Sequence, residues 1–333
     1  MPDFGHQGIL TTEATPPPEA GGPRPERRHH ALADRLRRLF GRRLRRVALD
    51  LGTTCPNRDG TWGRGGCVYC DADGSGTGAA KRGLDLETQW RAGLERLRRA
   101  APEGPCAVLY FQSYSSTWPD LEPLAAALAW ARTHADEAPV LAVSTRPDCF
   151  SEEAADLLAS ANDAFAEVWV EFGLETTDDA VQRAIGRHDT LANFRRACRL
   201  AGERGLTRVA HCLAGLPGER PDDLERQARV VAETGCEGVK FHQLMVLRRT
   251  RLAKPWLNGE LELLAPDDYA RRLARALAVL PWRVVVHRLR ANAPAAERLS
   301  PLDGFSLEEL LPRVHAELDR LATSADVETA PRG

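Results

Sequence analysis

Short apolar runs alternating with amphipathic helical stretches constrain this chain more than anything else in its sequence. Strand candidates recur at Leu44 to Leu51, Cys106 to Tyr114, Val140 to Thr145, Glu167 to Leu174, Arg208 to Leu216 and Gly238 to Leu247. Helical periods separate them at Leu84 to Arg99, Leu121 to Thr133, Glu152 to Ser160, Leu191 to Glu203 and Asp222 to Glu233. A strand, a helix and a second strand in that order form a βαβ unit, which pairs its strands in parallel. The prediction is an α/β fold, a partial (β/α)6 TIM-like barrel with a short C-terminal α/β extension. Trp282 to Arg288 reads as a further strand that extends or flanks the sheet. Caps support the helices: Ser151 precedes Glu152 and Glu153, Pro221 precedes Asp222 and Asp223, and Gly205 and Gly235 follow helical stretches. The expected organisation is a Pro/Gly-rich disordered tail over 1–30, the barrel with an N-terminal basic helix over 31–250, the extension over 251–325 and a second tail over 326–333.

Composition narrows the class. The 333 residues are 43% hydrophobic and 28% charged with a formal net charge of −2, a balance that excludes a wholly disordered chain. No apolar stretch reaches the roughly 18 residues that suggest a membrane helix. Eight cysteines are too sparse for a secreted disulfide scaffold, and the chain opens without a basic, apolar and small-residue leader, so a cytoplasmic protein with reduced cysteines is expected. Charge is unevenly placed. Ten arginines fall between Arg24 and Arg46 against only Glu26 and Asp34, a pattern that suits either a phosphate-backbone footprint or a solvated helix face.

The loop after the first strand holds Cys55, Cys67 and Cys70 in a C-x11-C-x2-C spacing, and glycines at 60, 63, 65 and 66 let the backbone wrap a compact group. A structural zinc site wants a fourth ligand, and no second C-x2-C pair exists. A thioredoxin-like pair would use Cys67 and Cys70 and leave Cys55 without a role. An iron–sulfur cluster accounts for the count of three. A [4Fe-4S] cluster normally takes four thiolates; with three, one iron stays open, and S-adenosylmethionine can chelate it through its amino and carboxylate groups. One electron from such a cluster cleaves the C5′–S bond and leaves a 5′-deoxyadenosyl radical. The other cysteines are isolated in or beside apolar runs and read as buried small hydrophobes. Cys212 alone is a catalytic candidate, because its strand should end at the cofactor.

With these residues the chain resembles radical S-adenosylmethionine (radical SAM) enzymes, specifically the bacterial YhcC/YtqA type, which is similar to the radical domain of the Elongator catalytic subunit. The resemblance runs from about Leu44 to about Leu299. It is carried by Cys55-Pro-Asn-Arg-Asp-Gly-Thr, Gly65-Gly66-Cys67-Val-Tyr-Cys70, Tyr110-Phe-Gln-Ser-Tyr-Ser-Ser-Thr117, Ser144-Thr-Arg-Pro-Asp-Cys149, Val168-Trp-Val-Glu-Phe-Gly-Leu-Glu-Thr176, Gly186-Arg-His188, Ala210-His-Cys-Leu-Ala-Gly-Leu-Pro-Gly-Glu219 and Val239-Lys-Phe-His242. It implies a partial barrel of the radical SAM type, a [4Fe-4S] cluster on Cys55, Cys67 and Cys70, and S-adenosyl-L-methionine beside it.

The resemblance also assigns the strand ends. Tyr69 sits where relatives bring a backbone toward the adenine, Gln112 and Ser113 where they hold the methionine amino group, and Glu175 and Arg187 where they place a ribose-binding side chain and a carboxylate-binding arginine. Ser144 and Arg146 end the third strand; Ser144 stands where the Elongator pattern has a ribose-binding glutamate, a weaker partner for a hydroxyl. His211 and Gly215 would back the adenine. Lys240 and His242, two apart and therefore on one face of a strand, are candidates for substrate contact or hydrogen transfer.

The implied function is reductive cleavage of S-adenosylmethionine in tRNA wobble-uridine modification. The implied partners are tRNA through Arg24 to Arg46, an electron donor and a methyltransferase, with no membrane. After the sixth strand no R-x-x-G-x-G acyl-CoA turn occurs, so acetyl transfer is not expected. Radical chemistry on a small metabolite, and a non-catalytic iron–sulfur or zinc protein binding nucleic acid, are the alternatives.

Overall fold

The computed structural model describes residues 28–74, 76–100 and 106–329. In chain order they form α1 (Leu32–Phe40), β1 (Arg45–Leu49), α2 (Pro56–Asp59), α3 (Leu86–Ala100), β2 (Ala107–Phe111), α4 (Glu122–Arg132), β3 (Val140–Thr145), α5 (Glu152–Ala159), β4 (Glu167–Glu175), α6 (Asp179–Ala184) and α7 (Leu191–Glu203). There follow β5 (Thr207–Ala214), α8 (Asp223–Glu233), β6 (Gly238–Gln243), β7 (Val246–Leu247), α9 (Ala253–Leu257), α10 (Pro266–Val279), β8 (Val285–Arg288), β9 (Arg298–Ser300) and α11 (Leu307–Thr329). Strands β1 to β6 pair in sequence order, all in parallel, and β8 adds to β6, giving a seven-stranded half-barrel. The expected strand at 282–288 therefore extends the sheet, because the α10 crossover returns its successor parallel to β6.

Pleating sorts the side chains. Leu109, Phe111, Leu141, Val143, Val170 and Phe172 face the helices in the larger apolar core. Their neighbours face the lumen, where Val108, Val140, Trp169 and Val209 pack on Leu36 of α1 and on Leu44 to seal the floor. Trp169 is fully buried there. α1 is amphipathic, ends on Gly41 at φ 67°, and is anchored by Arg35, whose guanidinium grips both oxygens of Glu167 at the start of β4. The chain enters along β8: Val286 donates its amide to the His30 carbonyl at 2.7 Å, and the His30 ring stacks on Trp282 at 5.5 Å.

Two expected boundaries meet described residues. Residues 28–30, placed at the end of a tail, pack here, with Arg28 ion-paired to Asp319 at 2.5 Å. Residues 326–329, placed in the second tail, continue α11. Residues 1–27 and 330–333 of those tails lie outside the described residues. Among the described residues no helix is long and apolar enough to cross a membrane.

Candidate active site

The loop between β1 and α3 opens on Cys55, the N-terminal cap residue of α2, and turns back through Cys67 and Cys70. Asn57 fixes this loop to the far side of the site, donating from Nδ2 to the carbonyls of Gly186 at 3.0 Å and Arg187 at 2.7 Å. Arg58 reaches the Cys70 carbonyl at 3.0 Å and lies over the Tyr114 ring at 5.5 Å. Gly66 has to be glycine: its φ is +79°, and a Cβ would stand 2.8 Å from the Arg58 guanidinium. Burial pushes the Cys70 thiol up to about 12, with Cys67 adding to it and Arg58 opposing. Burial raises the Cys55 thiol too, against Arg146. Thiols held in this state are poor nucleophiles, unlike the lowered thiol of a thioredoxin-like pair.

All three thiols line one cavity of about 600 Å³ at the carboxyl ends of the strands, the place where parallel α/β folds gather ligands. Its wall over β4 is built on a bulge between Gly173 and Glu175. Glu175 takes φ 61°, a left-handed conformation that non-glycine residues seldom adopt. Arg187 is buried behind it, donating to the Gly173 carbonyl at 2.6 Å, with Glu175 at 4.0 Å and the Tyr69 hydroxyl at 3.5 Å. A Cβ on Gly173 would meet both Glu175 and Arg187, so this glycine is what lets them close. Arg146 pairs with Asp148 and donates to the Arg187 carbonyl at 2.9 Å. Arg146 Nη1 and Arg187 Nε are buried without a hydrogen-bond partner. Burial raises the Glu175 carboxyl although Arg187 opposes it.

Deeper in the lumen lies a cluster that the sequence analysis did not assemble. Glu171 of β4 is fully buried, and its Oε2 accepts from Lys240 Nζ and, at 2.9 Å, from His211 Nε2. Arg46 of β1 stands 3.9 Å from the other oxygen, and Lys240 reaches the Tyr110 hydroxyl at 3.4 Å. Burial alone would raise Glu171, but Lys240, the His211 hydrogen bond and Arg46 hold its carboxyl well below the usual range. His211 is pushed down to about 4 by burial and Lys240, so its imidazole is neutral at pH 7.

Three thiols on one cavity, bordered by buried cations with free hydrogen-bonding capacity, fit an iron–sulfur cluster and an anionic ligand beside it. Among the described residues no three His, Cys, Asp or Glu side chains meet at the spacing of a single ion. A cubane cluster asks for a wider spacing, since each thiolate binds its own iron.

Residues 52–231 match the family model described as the Radical SAM superfamily, and residues 236–320 match its Radical_SAM C-terminal domain. The chain belongs to the radical SAM superfamily. It is 32% identical to YtqA of Bacillus subtilis over 88% of this chain and 90% of that one, and 34% identical to YhcC of Escherichia coli over 80% and 84%. To human Elongator complex protein 3 it is 27% identical over 51% of this chain, which is 31% of that protein. The solved structure of the archaeal Methanocaldococcus infernus Elp3 with an N-terminal deletion shares the fold, with a TM-score of 0.64 at 17% identity over 84% of this chain and 63% of that chain.

Within this radical SAM protein the structure brings Tyr69, Gln112, Ser113, Ser144, Arg146, Glu175, Arg187, His211, Lys240 and His242 onto the cysteine-lined cavity. Two expected residues fall elsewhere. Cys212 points to the helix layer and is fully buried in the apolar core, because the pleat that turns His211 inward turns its neighbour out. Gly215 is not on the cavity; its amide is held by Glu219 at 2.7 Å, and its φ of 93° turns the chain out of β5. Glu171, Tyr110, Arg46 and Arg288 were missed, although a charged residue inside an apolar strand two positions from Trp169 was a readable signal. The segment over 251–325 reaches the site as well: Arg251 bonds the Gly66 carbonyl at 3.2 Å, and Arg249 joins Asp73 to Glu297. Arg42, Arg43 and Arg45 are exposed at the floor end, at the opposite pole from the cysteines, whereas Arg35 and Arg46 are internally paired. Arg24 and Arg27 lie outside the described residues.

Proposed function

We propose that this radical SAM protein binds a [4Fe-4S] cluster through Cys55, Cys67 and Cys70, cleaves S-adenosylmethionine reductively, and acts on a wobble uridine of tRNA. The observation that carries the first half is the convergence of the three thiols, Arg146, Glu175 and Arg187 on one cavity. When bound, the cluster supplies the electron that breaks the C5′–S bond and so provides a radical able to abstract hydrogen. The chain's own groups do the rest. Arg146 and Arg187 offer the guanidinium nitrogens that suit a carboxylate, and Glu175 offers a carboxylate to hydroxyls. Leu213 and Leu244, partly lining the cavity within an apolar cluster, exclude water beside them. Burial and then Arg46 draw the Lys240 amine well below its ordinary value while Glu171 opposes them, and the same carboxylate fixes the His211 proton on Nε2, so the lumen wall stays polar and internally bonded.

The tRNA half rests on the resemblance to the Elongator radical domain and on the arginine-rich segment. Because the exposed arginines stand at the far pole, an RNA that contacts them while feeding a nucleotide to the cysteines must span the sheet. The nine residues of β4 set that length at about 30 Å. This same separation favours, as a second reading, a small metabolite that enters the cavity without touching that pole. Anaerobic loading with iron and sulfide is expected to give about four irons per chain. RNA binding is the discriminating test. Affinity for tRNA should fall steeply with salt, and replacing Arg42, Arg43 and Arg45 with glutamine should flatten that slope by about two to three. Salt-insensitive or absent binding sinks the tRNA substrate and leaves the radical chemistry standing.

A further inference from the structure

Among the described residues each Arg and Lys side chain on the cavity has at least one acceptor, with one exception. Arg146 has Asp148, Arg187 has the Gly173 carbonyl, Lys240 has Glu171, and Arg249 has Asp73 and Glu297. Arg58 and Arg82 are satisfied by backbone carbonyls. Arg288 of β8 lines the same cavity, exposed within it, and among the described residues no carboxylate or hydrogen-bond acceptor meets its guanidinium. The fold puts it there deliberately. Val286 pairs with Val239 and Arg288 with Lys240, so β8 carries one extra residue at His287, and this bulge turns Arg288 inward beside Lys240. His242, one pleat beyond Lys240 on the same face, presents a buried Nε2 with no partner.

The charge count at this level is one-sided. Arg46, Lys240 and Arg288 gather around a single carboxylate, Glu171, whose Oε2 is already shared by Lys240 and His211. Burial and then Arg46 draw the Arg288 guanidinium below its ordinary value, and burial, His211 and Arg288 do the same to the His242 imidazole. The buried His242 Nε2 without a partner is costly, and a ligand that supplies the partner recovers that cost, while the exposed, unpaired Arg288 guanidinium beside it is free to take the ligand's charge.

We propose that Arg288 and His242 form a subsite for an anionic group of the substrate, a carboxylate or a phosphate. It lies on β6 and β8, apart from the wall made by Glu175 at the end of β4 and Arg187 after α6. The guanidinium fork grips two oxygens of the anion, and the His242 imidazole donates to it from Nε2. Substrate specificity then comes from an arginine that the bulge aims. As a substrate subsite this rests on the proposed radical function, but the binding site itself does not.

The test therefore needs neither cluster nor S-adenosylmethionine. Histidine ring signals of the full chain would be followed by NMR at low ionic strength while acetate, inorganic phosphate or neutral acetamide is added. The His242 signal should shift saturably with acetate or phosphate and stay still with acetamide; the anion that binds more tightly identifies the carboxylate or the phosphate source. Arg288→Gln, which keeps most of the side-chain volume, should weaken that binding at least tenfold, and Arg288→Lys should keep part of it. No saturable shift with either anion in the wild type, or undiminished binding in Arg288→Gln, overturns the proposal. Failure to release 5′-deoxyadenosine would strike the radical reading alone.

Discussion

Cys55, Cys67 and Cys70 come from one loop, whereas Arg46, Tyr110, Glu171, His211 and Lys240 come one each from β1, β2, β4, β5 and β6. The loop is shaped by backbone: glycines with positive φ, carbonyls gripped by Arg58 and Arg251, and Asn57 bonded to the turn before Arg187. The lumen cluster is shaped by pleat alternation and charge pairing, with five strands contributing one side chain each. Local loops can present a reactive group at small cost to the fold. A charge cluster inside a barrel is part of the fold itself, and losing one partner strands the others.

That contrast can be broken by substitution. Glu171→Ala should destabilise the protein by about 3–5 kcal/mol, because it leaves Lys240 buried without its counter-charge. Denaturant unfolding measures this, and a change below about 1 kcal/mol would mean that the cluster is solvated in solution. Cys67→Ala should show the reverse pattern, with iron loading lost and unfolding little changed.

Acid should distinguish the regions next. The His211 imidazole is pushed down to about 4 in the fold and titrates near its ordinary 6.5 when unfolded. Its contribution is complete above pH 6.5 and is lost as pH falls toward 4, a decline of up to about 3 kcal/mol. Glu171, also depressed, continues the loss at lower pH. His211→Gln should flatten the fall in unfolding free energy between pH 6.5 and 4; an unchanged slope contradicts this assignment. The smallest effect is expected at Gly66. Gly66→Ala forces a left-handed residue against Arg58 and should lower the unfolding free energy by about 1–3 kcal/mol, with weaker iron retention alongside.

The same contrast explains what the sequence revealed. Strand and helix positions followed from apolar periodicity, and the cysteine loop from its own spacing, because both signals are local. The seventh strand was legible at 282–288, but its bulge at His287 was not, since a bulge shows only against a partner strand. Cys212 was misplaced for a related reason: membership of a strand was clear, but which face it took depended on register. Glu171, by contrast, could have been found. Glu171, Gly173 and Glu175 share the alternation that carries Trp169 to the lumen, and Lys240 offered the matching charge two strands away.

The central claim is that the cysteine rim is a radical source. Its most direct test is release of 5′-deoxyadenosine from S-adenosylmethionine by the anaerobically reconstituted and reduced full chain, beside a variant with Cys55, Cys67 and Cys70 all changed to alanine. Product from the wild type and none from the variant is the predicted result; no product from an iron-loaded wild type, or equal product from both, contradicts it.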